Sequence, residues 1–192
     1  MQNTKKMVIA ALMAALTCIA TMIIKFPTPT MGYIHLGDGF VLMCGVLLGP
    51  WAGALAAGIG SMFADIFSGY ASWAIATLLI KALTAMIAGL IFHGFRNNLH
   101  QAAAPYIGII TGGIVGEAIM VLGYFLFETG LAAAADGSFS AAALAAGAAA
   151  SAAGIPFNIV QGTVGIAISA LLMPVLLRLN PESEPARSVY RK

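Results

Sequence analysis

Long apolar runs separated by short polar stretches organise this chain. The runs approach about 20 residues, which is the length that a helix needs to cross the hydrocarbon core of a bilayer. The pattern predicts six membrane-spanning helices that follow one another with short connections. The predicted helices cover approximately residues 5–25, 36–48, 51–67, 72–92, 106–129 and 155–179.

Proline and glycine mark two of the connections. Pro27 and Pro29 predict an extended, non-helical loop through about Tyr33, because proline lacks an N–H and restricts the residue before it. Gly49 and Pro50 predict a tight turn between the second and third helices.

Three further segments complete the predicted organisation. Residues 93–105 are predicted to form a polar connector between the fourth and fifth helices. The alanine- and glycine-rich residues 130–154 form either a surface helix or a flexible loop, and the pattern favours neither. Residues 1–180 are predicted as one membrane domain, and residues 181–192 as a polar cytoplasmic tail.

The composition excludes a soluble domain. Hydrophobic residues make up 60% of the 192 residues and charged residues only 8%, whereas soluble domains carry about 25% charged residues. The fold class predicted is therefore an all-α polytopic membrane protein. The net charge of +2 is too small to indicate a nucleic-acid partner. Cys18 and Cys44 lie in apolar runs, where they are expected to pack as small hydrophobes, and no metal site or cofactor is predicted.

The distribution of basic residues predicts the orientation. One side of the predicted topology holds Lys5, Lys6, Arg96, Arg178, Arg187, Arg191 and Lys192. The other side holds only Lys25. Because basic residues concentrate on the cytoplasmic side, both termini are predicted to be cytoplasmic. The loops after the first, third and fifth helices then face outward.

Three ionisable residues inside predicted helices require a partner or a function, because a charge at mid-bilayer costs roughly 2.5–3.5 kcal/mol. They are Asp65, Lys81 and Glu117. Lys81 and Glu117 fall at similar depth, so they either form an ion pair that ties two helices together or line a polar cavity for a ligand. The two possibilities are compatible.

Polar and aromatic side chains cluster toward the outward end. Trp73, Thr77 and Lys81 share one face of the fourth helix, and Tyr124 and Glu128 lie on one face of the fifth with Glu117. An aromatic-walled pocket with a few placed polar groups suits a small planar molecule that forms hydrogen bonds. The predicted substrate-binding residues are Tyr33, His35, Asp38, Asp65, Tyr70, Trp73, Thr77, Lys81, Glu117, Tyr124, Asn158 and Gln161.

The chain has no sequence motif for catalysis or ATP hydrolysis. Gly-x-Ser-x-Gly, His-Glu-x-x-His and Walker A patterns are all missing from the sequence. The chain is therefore predicted to be a non-catalytic transport protein. An alternative hypothesis is a stand-alone secondary transporter or channel that uses Asp65, Lys81 or Glu117 as an ion relay.

Small residues form stripes on three helices. Gly108, Gly112 and Gly116, and likewise Gly53, Ala57 and Ser61, are spaced by four and predict close helix packing. The first helix carries two overlapping pairs with the same spacing. These pairs either pack inside the bundle or offer a docking surface to another membrane protein, and they comprise Ala10, Ala11, Ala14 and Ala15.

The order of these features resembles the S components of energy-coupling factor (ECF) vitamin importers, in the branch that includes riboflavin and pyridoxine proteins. The likeness covers nearly the whole chain. Its residues are the alanine pairs of the first helix, Leu36-Gly37-Asp38, Leu48-Gly49-Pro50, Gly58-x-Gly60-Ser61-x-x-x-Asp65, Ile80-Lys81, Gly123-Tyr124 and Pro156-x-Asn158-x-x-Gln161-Gly162.

The resemblance implies a subunit of the prokaryotic plasma membrane that captures a water-soluble vitamin from outside. Its expected partners are the vitamin, membrane lipid, a transmembrane coupling subunit (the T component) and two cytoplasmic ATPases. The alanine face of the first helix would contact the coupling subunit, and residues 27–35 would form the gate of the pocket. The expected vitamin is a small heterocycle of the pyridoxine or hydroxymethylpyrimidine kind, with riboflavin and cobalamin as alternatives.

Overall fold

Seven α-helices and one two-stranded hairpin form the described part of the molecule. The structure, a computed structural model, describes residues 2–30, 32–98 and 103–179. The helices are α1 (Gln2–Ile23), α2 (Asp38–Leu48), α3 (Pro50–Phe67), α4 (Ala74–Asn98), α5 (Ala104–Ala135), α6 (Ala141–Ser151) and α7 (Ile155–Leu179). The strands are β1 (Lys25–Pro27) and β2 (Tyr33–His35), and a single 3₁₀ turn (Ala152–Gly154) leads into α7. The predicted tail, residues 181–192, lies outside the described residues.

The predicted all-α architecture is confirmed. The six predicted helices correspond to α1–α5 and α7, and the sixth matches α7 at both ends. Within the described residues, four helical stretches are long and apolar enough to cross a membrane: Thr4–Ile23, Ala74–Asn97, Ala104–Ala135 and Ala141–Val175. Six spans with both termini in the cytoplasm therefore stay a prediction.

The polar connector predicted at residues 93–105 is mostly helical. Helix α4 continues to Asn98, and α5 already begins at Ala104 with Pro105 in its first turn. Arg96 lies in the last turn of α4, where a cation interacts favourably with the helix dipole. Polar character was therefore a poor guide to the end of this helix, whereas proline is well tolerated at a helix start.

The alanine-rich residues 130–154 are also mostly helical. Helix α5 extends to Ala135, and a turn through Gly137, which has a φ of 72°, separates it from α6. The Ser140 hydroxyl caps α6 by accepting a hydrogen bond from the Ala143 N–H at 3.2 Å. Of the two predicted alternatives, the helix is correct for most of this segment.

The loop after α1 is extended, as predicted, but its two arms also pair. Strands β1 and β2 are antiparallel, with Lys25 opposite His35 and Pro27 opposite Tyr33. The Thr28 N–H donates to the Gly32 carbonyl at 2.9 Å and closes the turn. This hairpin covers one end of the helix bundle.

Glycines bring helix backbones together in the half of the bundle away from the hairpin. A Cβ added to Gly89 on α4 would lie 2.8 Å from the Gly45 carbonyl oxygen on α2. A Cβ added to Gly112 on α5 would lie 2.7 Å from the Ala88 carbonyl oxygen. The glycine stripe of α5 is therefore a packing seam against α4, as its spacing predicts.

Candidate functional site

A small chamber lies beneath the hairpin, between the ends of α3, α4, α5 and α7. Its volume of about 20 Å³ is roughly what a single water molecule needs. The chamber is lined by Thr28, Gly32, Tyr33, His35, Asp65, Trp73, Thr77, Tyr124, Glu128 and Asn158. Seven of these are predicted substrate-binding residues: Tyr33, His35, Asp65, Trp73, Thr77, Tyr124 and Asn158.

Aromatic rings form the walls of the chamber. The Trp73 ring lies 6.3 Å from the Tyr124 ring and 5.2 Å from the Phe127 ring, centroid to centroid. From the hairpin, Tyr33 packs against Tyr70 with ring centroids 4.7 Å apart. These distances are typical of favourable aromatic pairs. Such walls suit the faces of a planar ligand.

A buried ion pair lies beneath the chamber, and it differs from the ion pair that was one of the two possibilities predicted for Lys81. Lys81 Nζ is 2.6 Å from Asp38 Oδ1, and both side chains are 0% exposed. Lys81 does not form the predicted ion pair with Glu117. Asp38 begins α2, which packs closely against α4 through Gly45 and Gly89, so it reaches the depth of Lys81.

The second oxygen of Asp38 is also occupied. Gln161 on α7 donates from Nε2 to Asp38 Oδ2 at 2.7 Å, and its Oε1 accepts the backbone N–H of His35 at 2.8 Å. The hairpin is thereby tied to three helices through one hydrogen-bonded chain. Asp38, Lys81 and Gln161 support the chamber from below and do not line it.

The hairpin contributes a neutral histidine and a tyrosine to the site. The pKa of His35 is lowered to about 4, chiefly by burial; the Asp38 carboxylate opposes this shift and the Lys81 charge adds to it. His35 Nδ1 accepts the Gly37 N–H at 3.0 Å. Burial and the Asp65 carboxylate raise the pKa of Tyr33, so its hydroxyl stays protonated and donates to Asp65 Oδ1 at 2.7 Å.

Glu117 lies in a different place from the one predicted for a chamber residue. It lines a separate groove of about 220 Å³ between α5 and α7, together with Asn158 and Gly162. Within the described ranges, neither Glu117 carboxylate oxygen has a hydrogen-bond partner. Asn158 is the residue shared between this groove and the chamber.

An open vestibule of about 560 Å³ adjoins the chamber. Tyr70 lines this vestibule rather than the chamber. Trp73 and Glu128 line both spaces and therefore form the boundary between them. The hairpin tip supplies Pro29 and Thr30 to the vestibule wall.

Sequence reasoning left three chamber residues out of the predicted set. Glu128 accepts a hydrogen bond from the Thr30 hydroxyl at 3.1 Å, which joins α5 to the hairpin tip. The signal for Glu128 was its position on the same helix face as Tyr124. Thr28 and Gly32 lie in the hairpin, and a Cβ added to Gly32 would meet the Trp73 ring at 3.1 Å.

The four alanines of α1 divide into two pairs. Ala10 and Ala14 are half-buried and pack on the core, where Ala14 contacts Gly60 of α3. Ala11 and Ala15 are exposed. The exposed surface around this second pair is strongly apolar and includes Met7, Val8, Leu12 and Ile19.

No metal centre is apparent in the described part of the chain. Across residues 2–30, 32–98 and 103–179, no group of three or more His, Cys, Asp or Glu side chains could hold a metal ion.

The helical bundle with its covered chamber has a counterpart among solved structures. A solved structure described as "Structure and mechanism of the S component of a bacterial ECF transporter" aligns with this chain with a TM-score of 0.63 and 24% identity. The alignment covers 93% of this chain and 98% of that one. The fold is therefore that of an S component. Residues 1–178 match the family model described as "ECF-type riboflavin transporter, S component", and the chain belongs to this family. S components are the substrate-binding subunits of ECF transporters.

A relative in Pyrococcus woesei, described as "Uncharacterized protein in gap 3'region", is 38% identical over 107 residues. The matched region covers 55% of this chain and 66% of that relative, just under two thirds of its length.

Proposed function

We propose that this protein captures a water-soluble vitamin from outside the cell in the space beneath the hairpin and releases it inside after docking to an ATP-driven coupling module. The observation that carries the proposal is the aromatic chamber, which the hairpin partly covers and which buried polar groups support. Aromatic walls with a few convergent polar groups are the usual composition of a small-molecule site.

The chamber must widen before it can hold a vitamin. Pockets for such ligands measure about 300–1,000 Å³, far more than the 20 Å³ of the chamber. The vestibule offers 560 Å³ on the other side of Trp73 and Glu128. Outward movement of the hairpin tip, which the Thr30–Glu128 hydrogen bond holds in place, would join the two spaces. Residues 27–35 thus act as the gate.

Riboflavin is the first ligand to test, because the matching family model is described as that of a riboflavin transporter. The expectation of a pyridoxine-type or hydroxymethylpyrimidine-type ligand stays a prediction and has no support from that description. A riboflavin-sized ring system would need most of the combined chamber and vestibule, whereas a single heterocycle would need less of it.

Binding can be measured on the purified full chain in lipid nanodiscs by intrinsic fluorescence and calorimetry. The chain has two tryptophans, and Trp51 is 73% exposed at the start of α3, away from the chamber. In a Trp51→Phe variant, Trp73 alone reports on the site. Saturable quenching by riboflavin or another vitamin of a water-soluble panel supports the proposal. No response to any member, with calorimetry also silent, contradicts it.

Docking to the coupling subunit is proposed for the exposed pair Ala11 and Ala15. Small exposed residues at this spacing let another helix approach closely. An Ala15→Trp substitution should abolish ATP-dependent uptake and leave calorimetric binding unchanged. Leu171→Trp, on the exposed surface of α7, is the matched control and should retain both. Loss of binding in Ala15→Trp would show that the residue stabilises the fold instead.

The stand-alone transporter hypothesis makes the opposite prediction. Vitamin accumulation in liposomes that contain only this chain, without coupling subunit or ATPases, would support it. Lys81, one of its proposed relay groups, is already bound to Asp38 at 2.6 Å, so we expect no such accumulation.

A further inference from the structure

We infer that the chamber selects its ligand by charge. It accepts an aromatic heterocycle that is neutral or cationic and carries N–H or O–H donors, and it rejects a ring that carries a carboxylate or phosphate. The inference rests on the proposed function, because it concerns the ligand of the same site.

Two carboxyl groups on the chamber wall each have one oxygen that accepts no hydrogen bond from the described residues. Asp65 is 4% exposed and Glu128 is 7% exposed. One oxygen of each is held by the hairpin, since Tyr33 donates to Asp65 Oδ1 and Thr30 donates to Glu128 Oε1. Among the described residues, the other oxygens, Asp65 Oδ2 and Glu128 Oε2, have no hydrogen-bond partner.

The hydrogen bonds from the hairpin fix the orientation of the two carboxyl groups. Because Tyr33 and Thr30 each occupy one oxygen, neither carboxylate is free to turn away from the chamber without losing that bond. The Thr77 hydroxyl lies close to the Asp65 carboxyl group. Among the described residues, however, no donor forms a hydrogen bond of standard geometry with Asp65 Oδ2. A buried acceptor without a donor is costly, and a ligand donor would remove that cost.

Among the described residues, no lysine or arginine lines the chamber beside these two acids. Lys81 lies beneath the wall and is bound to Asp38. His35 is neutral near pH 7, because burial lowers its pKa to about 4. Lys25 is exposed and sits over the Tyr33 ring, 5.6 Å from its centroid, at the hairpin surface.

The walls favour the same ligand charge. The faces of Tyr and Trp rings attract cations, and Trp73 lines the chamber beside the two acids. The Tyr124 ring already has Lys81 Nζ over it, 5.3 Å from its centroid. An anionic ligand would meet the carboxyl groups of Asp65 and Glu128 in a space of low dielectric, where its repulsion by an ionised carboxylate is little screened. A ligand with two donors would instead form charge-assisted hydrogen bonds, which are about twice as strong as neutral ones.

The test uses pairs of ligands that share a ring and differ in charge. The pairs are nicotinamide with nicotinate, pyridoxine and pyridoxamine with pyridoxate, and riboflavin with riboflavin phosphate. Affinity is measured at about pH 8.5, well above the ordinary pKa of carboxyl groups, on the full chain in nanodiscs by calorimetry. For any ring that binds, we expect the neutral or cationic member to bind at least about tenfold more tightly than the anion.

Two variants assign the preference to the chamber. Glu128→Gln keeps the size of the side chain and an acceptor for Thr30 but removes the charge, so the ratio between the paired ligands should fall several-fold, to within about threefold of unity. Asp65→Asn is a second variant with the same expectation. Asp136→Asn is the matched control, because Asp136 is an exposed carboxylate at the end of the same helix, and it should leave the ratio unchanged.

The outcomes separate the inference from the proposed function. Equal or tighter binding of the anionic member overturns the charge selection while the proposed function stands. A preference that survives unchanged in both chamber variants also overturns it, provided that the variants elute as the native species. If no member of any pair binds, the proposed function fails and the inference with it.

Discussion

The two ends of the bundle differ in what they bury. Away from the hairpin, the core is apolar, and glycines such as Gly45 and Gly89 bring helix backbones into contact. Large side chains fill the space around them, among them Val41, Leu42, Met43, Val46, Phe92, Ile109 and Met173. Beneath the hairpin, the buried side chains are instead mostly polar or aromatic, and several oxygens lack a partner among the described residues.

This difference separates stability from function. Apolar packing stabilises a bundle in proportion to its contacts, whereas a buried polar atom without a partner destabilises it. Asp65 and Glu128 therefore do not stabilise the bundle by packing. They suit a site in which a ligand supplies the missing hydrogen-bond donors. The Lys81–Asp38 pair lies at the junction of the two regions. Changes on either side should accordingly have different consequences.

The largest effect is expected at this junction. Lys81→Met would leave the buried Asp38 carboxylate with only Gln161 as a partner, and removal of one member of a buried ion pair costs about 3–5 kcal/mol. Thermal unfolding in detergent micelles should show a large loss of stability. Asp38→Asn in the same chain removes the uncompensated charge and should restore most of it. If Glu117→Gln restores more than Asp38→Asn does, Glu117 is the true partner and the described pairing is wrong.

The partner of Lys81 could not be predicted from the sequence. Depth along the predicted helices indicated Glu117, which lies near the middle of α5. Asp38 was predicted as a ligand contact because it was placed at the mouth of the site. The connection that brings Asp38 down to Lys81 depends on the close packing of α2 and α4. That packing is a tertiary property which no local pattern contains.

A smaller effect is expected on the polar side, at the hairpin. The folded-state pKa of His35 is about 4, below its ordinary value of about 6.5. Folding thus favours the neutral form of His35. The contribution of the neutral imidazole to the free energy of unfolding is complete above about pH 6.5 and is lost as the pH falls toward 4. The loss at pH 4 should be of the order of 2–3 kcal/mol.

A variant isolates the histidine from other groups that titrate in acid. His35→Gln keeps an acceptor for the Gly37 N–H but does not titrate, so its melting temperature should fall less between pH 6.5 and 4 than that of the wild type. Parallel pH profiles would show that His35 is not responsible. His93, which packs against Phe92 in the apolar region, is present in both proteins, so its titration cancels in this comparison.

Helix positions were predicted better than the contacts between helices. The apolar runs identified six helices, and the aromatic residues Trp73 and Tyr124 were correctly placed together. The pairing of β1 with β2 was not predictable, because three-residue strands carry too little periodicity. Glu128 was missed as a site residue for a related reason: its role depends on Thr30, which is 98 positions distant in sequence.

The smallest effect tests the apolar region alone. Gly89→Ala would place a methyl group 2.8 Å from the Gly45 carbonyl oxygen, and overpacking of this kind costs about 1–3 kcal/mol. Gly130→Ala is the matched control, because a Cβ there meets nothing within 4 Å. In a helix, the Gly130→Ala substitution should stabilise the protein by about 0.5–1 kcal/mol.

Melting temperatures of the two variants should thus shift in opposite directions, while calorimetric binding of the paired heterocycles stays unchanged in both variants. A change in ligand affinity in Gly89→Ala would show that the apolar region and the chamber are coupled, and that stability and ligand capture are not separable in this bundle.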